Sequence, residues 1–211
     1  MLDRGVRRII DPGLNAMGRW LAGCGVPALA VTALGLGLGL AAALAIALGF
    51  PVVGACLILA SRLADGLDGP VARATQPTPF GAFADIVADF IFYAAIPLAF
   101  AVEEPTRAVA AAVLLAAFVA SGVAFLGYAL LAAQLGGAPP PNKGFVYAAG
   151  LTEGTETIAL FLLLCLVPQW FEVLAFGFAA ACWITAAARC WAAWQLSRSS
   201  SPSRTDPPLP H

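Results

Sequence analysis

The chain has 211 residues, of which 61% are hydrophobic and 11% charged, and its mean hydropathy is +0.87. Soluble domains are much less apolar and carry about 25% charged residues, so the composition predicts an integral membrane protein. A formal net charge of −1 gives no sign of the concentrated basic face that a nucleic-acid partner requires. The five cysteines form no C-x-x-C pair, which indicates neither a disulfide framework nor a thiolate metal site.

Residues 1–22 precede the apolar part of the chain. The first long apolar run begins only after residue 24, which is too late for a secretory signal. Because this segment mixes basic and apolar residues, we predict an amphipathic helix lying in the membrane interface. Four arginines would then be available to anionic lipid, namely Arg4, Arg7, Arg8 and Arg19.

Six apolar segments follow, and each is close to the roughly 20 residues that a spanning helix needs. Proline- and glycine-rich breakers separate them. The predicted fold is all-α: an integral membrane six-helix bundle that forms one domain over residues 1–196. Its spans, with ends uncertain by about two to four residues, cover 26–49, 52–74, 79–102, 107–134, 153–168 and 170–194. The Ser- and Pro-rich segment 197–211 is predicted to be a disordered tail.

The distribution of Lys and Arg over the loops predicts the orientation of the bundle. With the N-terminus inside, the outer loops keep only Arg107, beside Glu103 and Glu104. We therefore expect a multi-pass protein of the bacterial cytoplasmic (inner) membrane, with both termini on the cytoplasmic side. The basic residues on that side are Arg4, Arg7, Arg8, Arg19, Arg73, Lys143, Arg198 and Arg204.

Four aspartates interrupt the second and third apolar segments. On the second, one helical face carries Asp65, Asp68, Gly69, Ala72 and Arg73. On the third, one face carries Gly81, Asp85 and Asp89. The prolines in "ATQPTP" require a turn between the two segments. The two faces therefore belong to antiparallel neighbours joined on the cytoplasmic side, and the four carboxylates converge.

Carboxylates this close together repel one another unless positive charge lies among them. An oxygen-only set without His or Cys selects a hard cation such as Mg²⁺, Mn²⁺ or Ca²⁺. The small residues Gly69 and Ala72 open a groove beside the acids, and Arg73 is suited to a phosphate oxygen. The combination indicates a site that handles pyrophosphate.

The full pattern resembles the signature of the CDP-alcohol phosphotransferase (CDP-alcohol phosphatidyltransferase) family. It reads Asp65-x2-Asp68-Gly69-x2-Ala72-Arg73, then Gly81-x3-Asp85-x3-Asp89. One departure is the spacer between arginine and glycine, which has seven residues, "ATQPTPF", where the family usually has eight. The resemblance implies a six-span membrane enzyme, often a homodimer, that displaces CMP from a CDP-linked donor with the hydroxyl of an acceptor alcohol.

The resemblance also implies residue roles. Asp65, Asp68 and Asp85 would hold divalent metal, Mg²⁺ or Mn²⁺, as one ion or two. Asp89 would lie close to the metal as a further ligand and act as general base. The CDP pocket would be formed by Asp65, Asp68, Gly69, Ala72, Arg73 and Gly81. The donor is expected to be CDP-diacylglycerol, with phosphatidyl transfer to a small alcohol in phospholipid biosynthesis.

Three alternatives stay open at this stage. A soluble CDP-alcohol could instead donate its phosphoalcohol to diacylglycerol, because the motif does not specify which partner is the lipid. Intramembrane acids also mark ion-coupled transporters, although that reading leaves Gly69, Ala72 and Arg73 unexplained. A third reading is a buried polar network that joins two helices.

Several polar residues outside the motif could have either a structural or a functional role. Arg62 precedes Asp65 by three residues, so it either pairs with that acid or contacts a ligand. Arg189 lies near the end of the sixth predicted span, where snorkelling to the interface is the commoner behaviour. A candidate acceptor pocket at the start of the fifth span comprises Lys143, Glu153 and Glu156. If the two glutamates face the pocket, they favour a neutral or amine-bearing alcohol over a phosphorylated one.

Overall fold

Residues 2–135 and 154–199 are described by the computed structural model, with side chains for 12–135 and 154–198. All regular secondary structure in this part of the chain is helical. We number its α-helices in chain order as α1 (Leu2–Gly23), α2 (Ala28–Ala47), α3 (Pro51–Ala74), α4 (Pro79–Glu103), α5 (Ala108–Gln134), α6 (Gly154–Leu166) and α7 (Phe171–Ser199). Short 3-10 turns, Pro105–Arg107 and Pro168–Trp170, precede α5 and α7.

The connections around the aspartate segments are short and have local causes. Gly49, with a φ of +83°, ends α2 in the left-handed conformation that glycine adopts most easily. Pro51 then opens α3 at a position where its missing N–H costs nothing. At the next turn the Thr78 hydroxyl accepts a 3.0 Å hydrogen bond from the Gly81 N–H and caps α4. These signals fix where the two aspartate-bearing helices start.

Four helices of the described chain are long and apolar enough to cross a membrane, judged by length and composition. They are α2, α4, and α5 and α7 taken with their preceding turns. The predicted count of six spans is not confirmed by this criterion. The second predicted span, α3, carries Arg62, Asp65, Asp68 and Arg73 among its 24 residues, and α6 has 13 residues.

The C-terminal helix is longer than predicted. The sequence placed the start of a disordered tail at residue 197, whereas α7 continues to Ser199. The rings of Trp191 and Trp194 lie 4.8 Å apart, and the Arg198 guanidinium lies 4.8 Å from the Trp194 ring. These side-chain contacts extend the last turns of the helix. Residues 200–211 lie outside the described part of the chain.

The N-terminal helix α1 packs against α3. A Cβ atom added at Gly18 would lie 2.4 Å from the Cβ of Pro70, so glycine is what allows this approach. The contact brings α1 alongside the motif-bearing half of α3. That α1 is amphipathic and lies in the membrane interface stays a prediction.

The core of the bundle is aromatic and aliphatic. Phe92 of α4 and Phe161 of α6 are both fully buried, with an edge-to-face contact between ring centroids 5.7 Å apart. Phe100 of α4 lies 5.1 Å from Phe171 at the start of α7. By contrast, large apolar side chains such as that of Leu34 lie exposed on the outside, as expected where lipid surrounds the protein.

Helix α2 lies against both aspartate-bearing helices, whereas α3 and α4 approach each other much less closely. Its small residues permit this contact. A Cβ at Gly35 would lie 3.4 Å from the Ser61 carbonyl oxygen of α3, and a Cβ at Gly39 would lie 2.7 Å from the Phe92 ring of α4. The Ser61 hydroxyl donates a 2.7 Å hydrogen bond to the Gly35 carbonyl oxygen. The position of α3 relative to α4 is thus set largely through α2.

We expect Gly39→Ala to destabilise the bundle, because Phe92 is fully buried and its ring cannot move away from the added methyl group without displacing core neighbours. Overpacking of this kind costs about 1–3 kcal/mol. The measurement is the thermal unfolding midpoint in detergent. Gly37→Ala is the matched control, since a Cβ there meets nothing within 4 Å. Equal midpoints for the two variants would contradict the close contact.

Candidate functional site

Three of the four motif aspartates converge in the structure. Asp65 and Asp68 come from α3 and Asp85 from α4, and one carboxylate oxygen of each lies within 4.8 Å of the others. All three side chains are half-buried. The donor set consists of oxygen atoms alone, which fits a hard divalent cation such as Mg²⁺ or Mn²⁺. Despite the seven-residue spacer, Asp85 therefore lies close to both acids of α3.

A hydroxyl from α2 contacts this group. Thr32 is buried, and its Oγ1 donates a 2.8 Å hydrogen bond to Oδ2 of Asp68. The bond helps to fix the orientation of this carboxylate. No sequence pattern points to Thr32, because only the packing of α2 on α3 brings it to Asp68.

The fourth acid, Asp89, has a different partner. Arg62 Nη1 lies 2.7 Å from Asp89 Oδ1 and 3.3 Å from Asp65 Oδ2, and its side chain is only 10% exposed. Arg62 Nη2 donates a 3.1 Å hydrogen bond to the Ser61 hydroxyl, and the guanidinium stacks 4.0 Å from the centroid of the Phe92 ring. Of the two readings left open for Arg62, the structure shows the ion pair with Asp65, and it adds a shorter one with Asp89.

A cavity of about 640 Å³ opens on one side of the acid cluster. Its lining includes Asp68 and Asp85 together with the non-acidic motif residues Gly69, Ala72, Arg73 and Gly81. Among the residues predicted to bind CDP, Asp65 alone is not part of this lining. Arg73 Nη2 donates a 3.0 Å hydrogen bond to Oδ1 of Asn15, so α1 helps to orient the arginine at the cavity wall.

A second cavity, of about 540 Å³, lies on the other side of the cluster and is lined by Asp65, Asp89 and Arg62. Four residues that carry a hydroxyl group also line it, from α4, α5 and α6, namely Tyr93, Ser121, Thr155 and Thr157. The acid cluster therefore separates two compartments, and Asp89 faces the second. This is the geometry expected of a site that brings two substrates together.

Arg189 of α7 also lines the second cavity. The expectation that it snorkels to the interface is wrong, because it is only 8% exposed and its Nη1 donates 3.0 Å hydrogen bonds to the carbonyl oxygen and the hydroxyl of Ser121. Its guanidinium also lies 5.3 Å from the Phe125 ring. An arginine within an apolar segment is by itself a signal of function. The sequence therefore contained a reason to prefer a role in the site for Arg189 over snorkelling to the interface.

Of the three residues predicted for an acceptor pocket, the structure describes only Glu156. Lys143 and Glu153 lie outside the described residues. Glu156 is half-buried in the first turn of α6 and is not among the described residues that line either cavity. Its neighbours Thr155 and Thr157 do line the second cavity.

Comparison with known proteins identifies a family and a curated relative. Residues 23–194 match the family model described as CDP-alcohol phosphatidyltransferase. The chain is 42% identical over 202 residues to the inner membrane protein YnjF of Escherichia coli (strain K12), a match that covers 94% of this chain and 98% of that protein.

The fold is also similar to a solved structure. It resembles the crystal structure of Mycobacterium tuberculosis phosphatidylinositol phosphate synthase (PgsA1) with CDP-DAG bound, with a TM-score of 0.65 and 24% sequence identity. The match covers 93% of this chain and 98% of that one. At this identity the likeness shows the fold alone.

We expect Thr32→Val to weaken Mn²⁺ binding by roughly 10-fold or more, since loss of an outer partner of a metal ligand typically costs about 10- to 100-fold in affinity. The valine keeps the shape of the side chain but removes the hydrogen bond to Asp68. Binding is measured by titration of Mn²⁺ followed by its electron paramagnetic resonance signal. Thr106→Val, at the far end of α4 beside Glu104, is the control and should bind like wild type.

Proposed function

The chain belongs to the CDP-alcohol phosphatidyltransferase family, and we propose that it transfers a phosphatidyl group from CDP-diacylglycerol to the hydroxyl of a small acceptor alcohol, releasing CMP. The observation that carries this proposal is the convergence of Asp65, Asp68 and Asp85 at the wall of the cavity that contains the rest of the motif. The CDP-DAG bound to the structurally similar PgsA1 supports the choice of donor.

We assign the first cavity to the nucleotide part of the donor. Gly69, Ala72 and Gly81 give it walls without bulky side chains, and Arg73 supplies a fixed positive charge for the pyrophosphate. Asp65, Asp68 and Asp85 would hold a divalent ion beside it. When bound, such an ion polarises a phosphoryl oxygen and offsets the charge that develops on the leaving phosphate.

We assign the second cavity to the acceptor and the role of general base to Asp89. The acceptor oxygen attacks the phosphorus that carries the diacylglycerol, the bond from that phosphorus to the CMP oxygen breaks, and the hydroxyl proton passes to Asp89. A base must lie within hydrogen-bond reach of that hydroxyl, and Asp89 lines the compartment in which the acceptor would lie. The hydroxyl-bearing side chains around it suit a polyol or another small polar alcohol.

We also propose a location for the protein, the inner membrane, and a side for its active site. YnjF is an inner membrane protein, and the basic residues of this chain favour a cytoplasmic active site with both termini on that side. Residues 23–194, which match the family, lie within the single domain predicted for residues 1–196. A homodimer, common in the family, stays a prediction.

Removal of the proposed base should abolish chemistry. We expect Asp89→Asn to lower metal-dependent CMP release from CDP-diacylglycerol by at least about 100-fold, the lower range for loss of a general base. Asp65→Asn should lower CMP release as strongly and also weaken Mn²⁺ binding, because Asp65 belongs to the converging oxygen set. The measurement is labelled CMP released by purified protein supplied with a panel of acceptor alcohols.

The control for this assay is Glu172→Gln, an exposed acid in the first turn of α7, which should behave as wild type. A parallel reaction with a soluble CDP-alcohol and diacylglycerol tests the reverse arrangement. Turnover at the wild-type rate in Asp89→Asn would contradict the base assignment. Ion flux through reconstituted vesicles without CMP release would favour a transporter.

The orientation is tested by cysteine labelling in a variant whose five native cysteines are replaced by alanine. We expect a membrane-impermeant reagent to reach cysteines at Glu104 and Gln169 in intact cells, and to reach one at Gln76 only after permeabilisation. Labelling of Gln76 in intact cells would place the motif turn on the outer side and contradict a site fed by cytoplasmic nucleotide.

A further inference from the structure

Arg62 is the cation closest to the base in the described part of the chain, and the family motif does not contain it. We infer that Arg62 takes the place of a second metal ion beside Asp89, so that each chain binds one divalent cation, at Asp65, Asp68 and Asp85. The inference rests on the proposed function, because it concerns how that site divides its carboxylates between a metal and a guanidinium.

The four motif carboxylates fall into two groups. Asp65, Asp68 and Asp85 bring oxygens within 4.8 Å of one another, and among the described residues Asp89 does not belong to that group. Its Oδ1 instead lies 2.7 Å from Arg62 Nη1, the distance of a charge-assisted hydrogen bond. In this arrangement Asp89 is a partner of the arginine rather than a member of the metal-binding set.

A second metal ion and Arg62 would compete for the same carboxylate oxygens. Two-metal sites hold their ions roughly 3.5–4 Å apart, bridged by shared ligands. Arg62 Nη1 contacts two of the carboxylates that a second ion beside Asp89 would use, Asp89 itself at 2.7 Å and Asp65 at 3.3 Å. A second ion on Asp89 Oδ1 would have to displace a guanidinium that repels it.

Arg62 is held in place by the residues around it. Its side chain is 10% exposed, one face stacks on Phe92, and Nη2 is bonded to Ser61, which is itself bonded to the backbone of α2. Its Nε is buried and has no hydrogen-bond partner in the described structure. An arginine does not lose its charge in proteins, so this position stays cationic whether or not a metal is bound.

The consequence is a division of roles among the four acids. Three bind the metal, and the fourth is kept outside the metal's ligand set by Arg62 and faces the acceptor compartment. Arg62 is then a positioning residue for Asp89. This differs from the sequence-based expectation that Asp89 lies close to the metal as a further ligand.

The test counts Mn²⁺ ions bound by the full chain in detergent. For wild type we expect one ion per chain and the six-line resonance spectrum of an isolated Mn²⁺. Arg62→Met keeps the length of the side chain and removes its charge, so we expect two ions per chain and a spectrum broadened by coupling between them. Arg62→Lys retains the charge and should bind one ion. Arg107→Met, which removes a partner of Glu103 at the other end of α4, should also bind one.

Two coupled ions in wild type would overturn the inference, as would a single ion in folded Arg62→Met. If Arg62→Met does not fold, the inference is tested on wild type and Arg62→Lys. One ion per chain with the spectrum of an isolated Mn²⁺ in both proteins supports the inference, and two coupled ions in either one contradicts it. CMP release is measured on the same samples. Wild type that releases CMP with two ions bound overturns this inference alone, whereas a protein that binds no Mn²⁺ and releases no CMP overturns the proposed function as well.

Discussion

The close contact of α2 with both α3 and α4 is the constraint on which the site depends. Gly35 and Gly39 let the backbone of α2 approach Ser61 on one helix and Phe92 on the other. Because α3 and α4 approach each other less closely than either approaches α2, space is left between them for two cavities and a cluster of carboxylates. The glycines thus help to determine the separation of the acids.

Charge is balanced locally within this arrangement. An isolated charge within a bilayer costs at least a few kcal/mol, and a set of unpaired carboxylates would repel one another as well. Thr32 donates to Asp68, Arg62 pairs with Asp65 and Asp89, and the oxygens of Asp65, Asp68 and Asp85 converge in a geometry that fits a divalent cation. The protein supplies part of the compensation, and the substrates and metal of the proposed reaction would supply the rest.

Much of the site was predictable from the chain alone. Spacings of three, four and eight residues place acids and small residues on one helical face, and the prolines between residues 74 and 79 require a turn. From these rules the sequence predicted that all four acids converge, and the structure shows this for Asp65, Asp68 and Asp85. It also places Gly69, Ala72, Arg73 and Gly81 along one cavity, as the family resemblance implied. Such contacts follow from local geometry within two consecutive helices. Composition likewise determined the all-helical membrane class, although length and composition alone support four spans rather than six.

Contacts between residues far apart in sequence were decided by tertiary packing. Thr32 contacts Asp68 across 36 positions, Arg62 contacts Asp89 across 27, and Arg189 contacts Ser121 across 68. No periodicity within one helix specifies the rotation of another helix against it, because that rotation depends on how whole surfaces interdigitate. The sequence by itself therefore determined the class of protein, the family motif and the helical face that carries the acids. Only the tertiary structure decided which partner each acid has, because partners are chosen by packing between helices rather than by spacing along one.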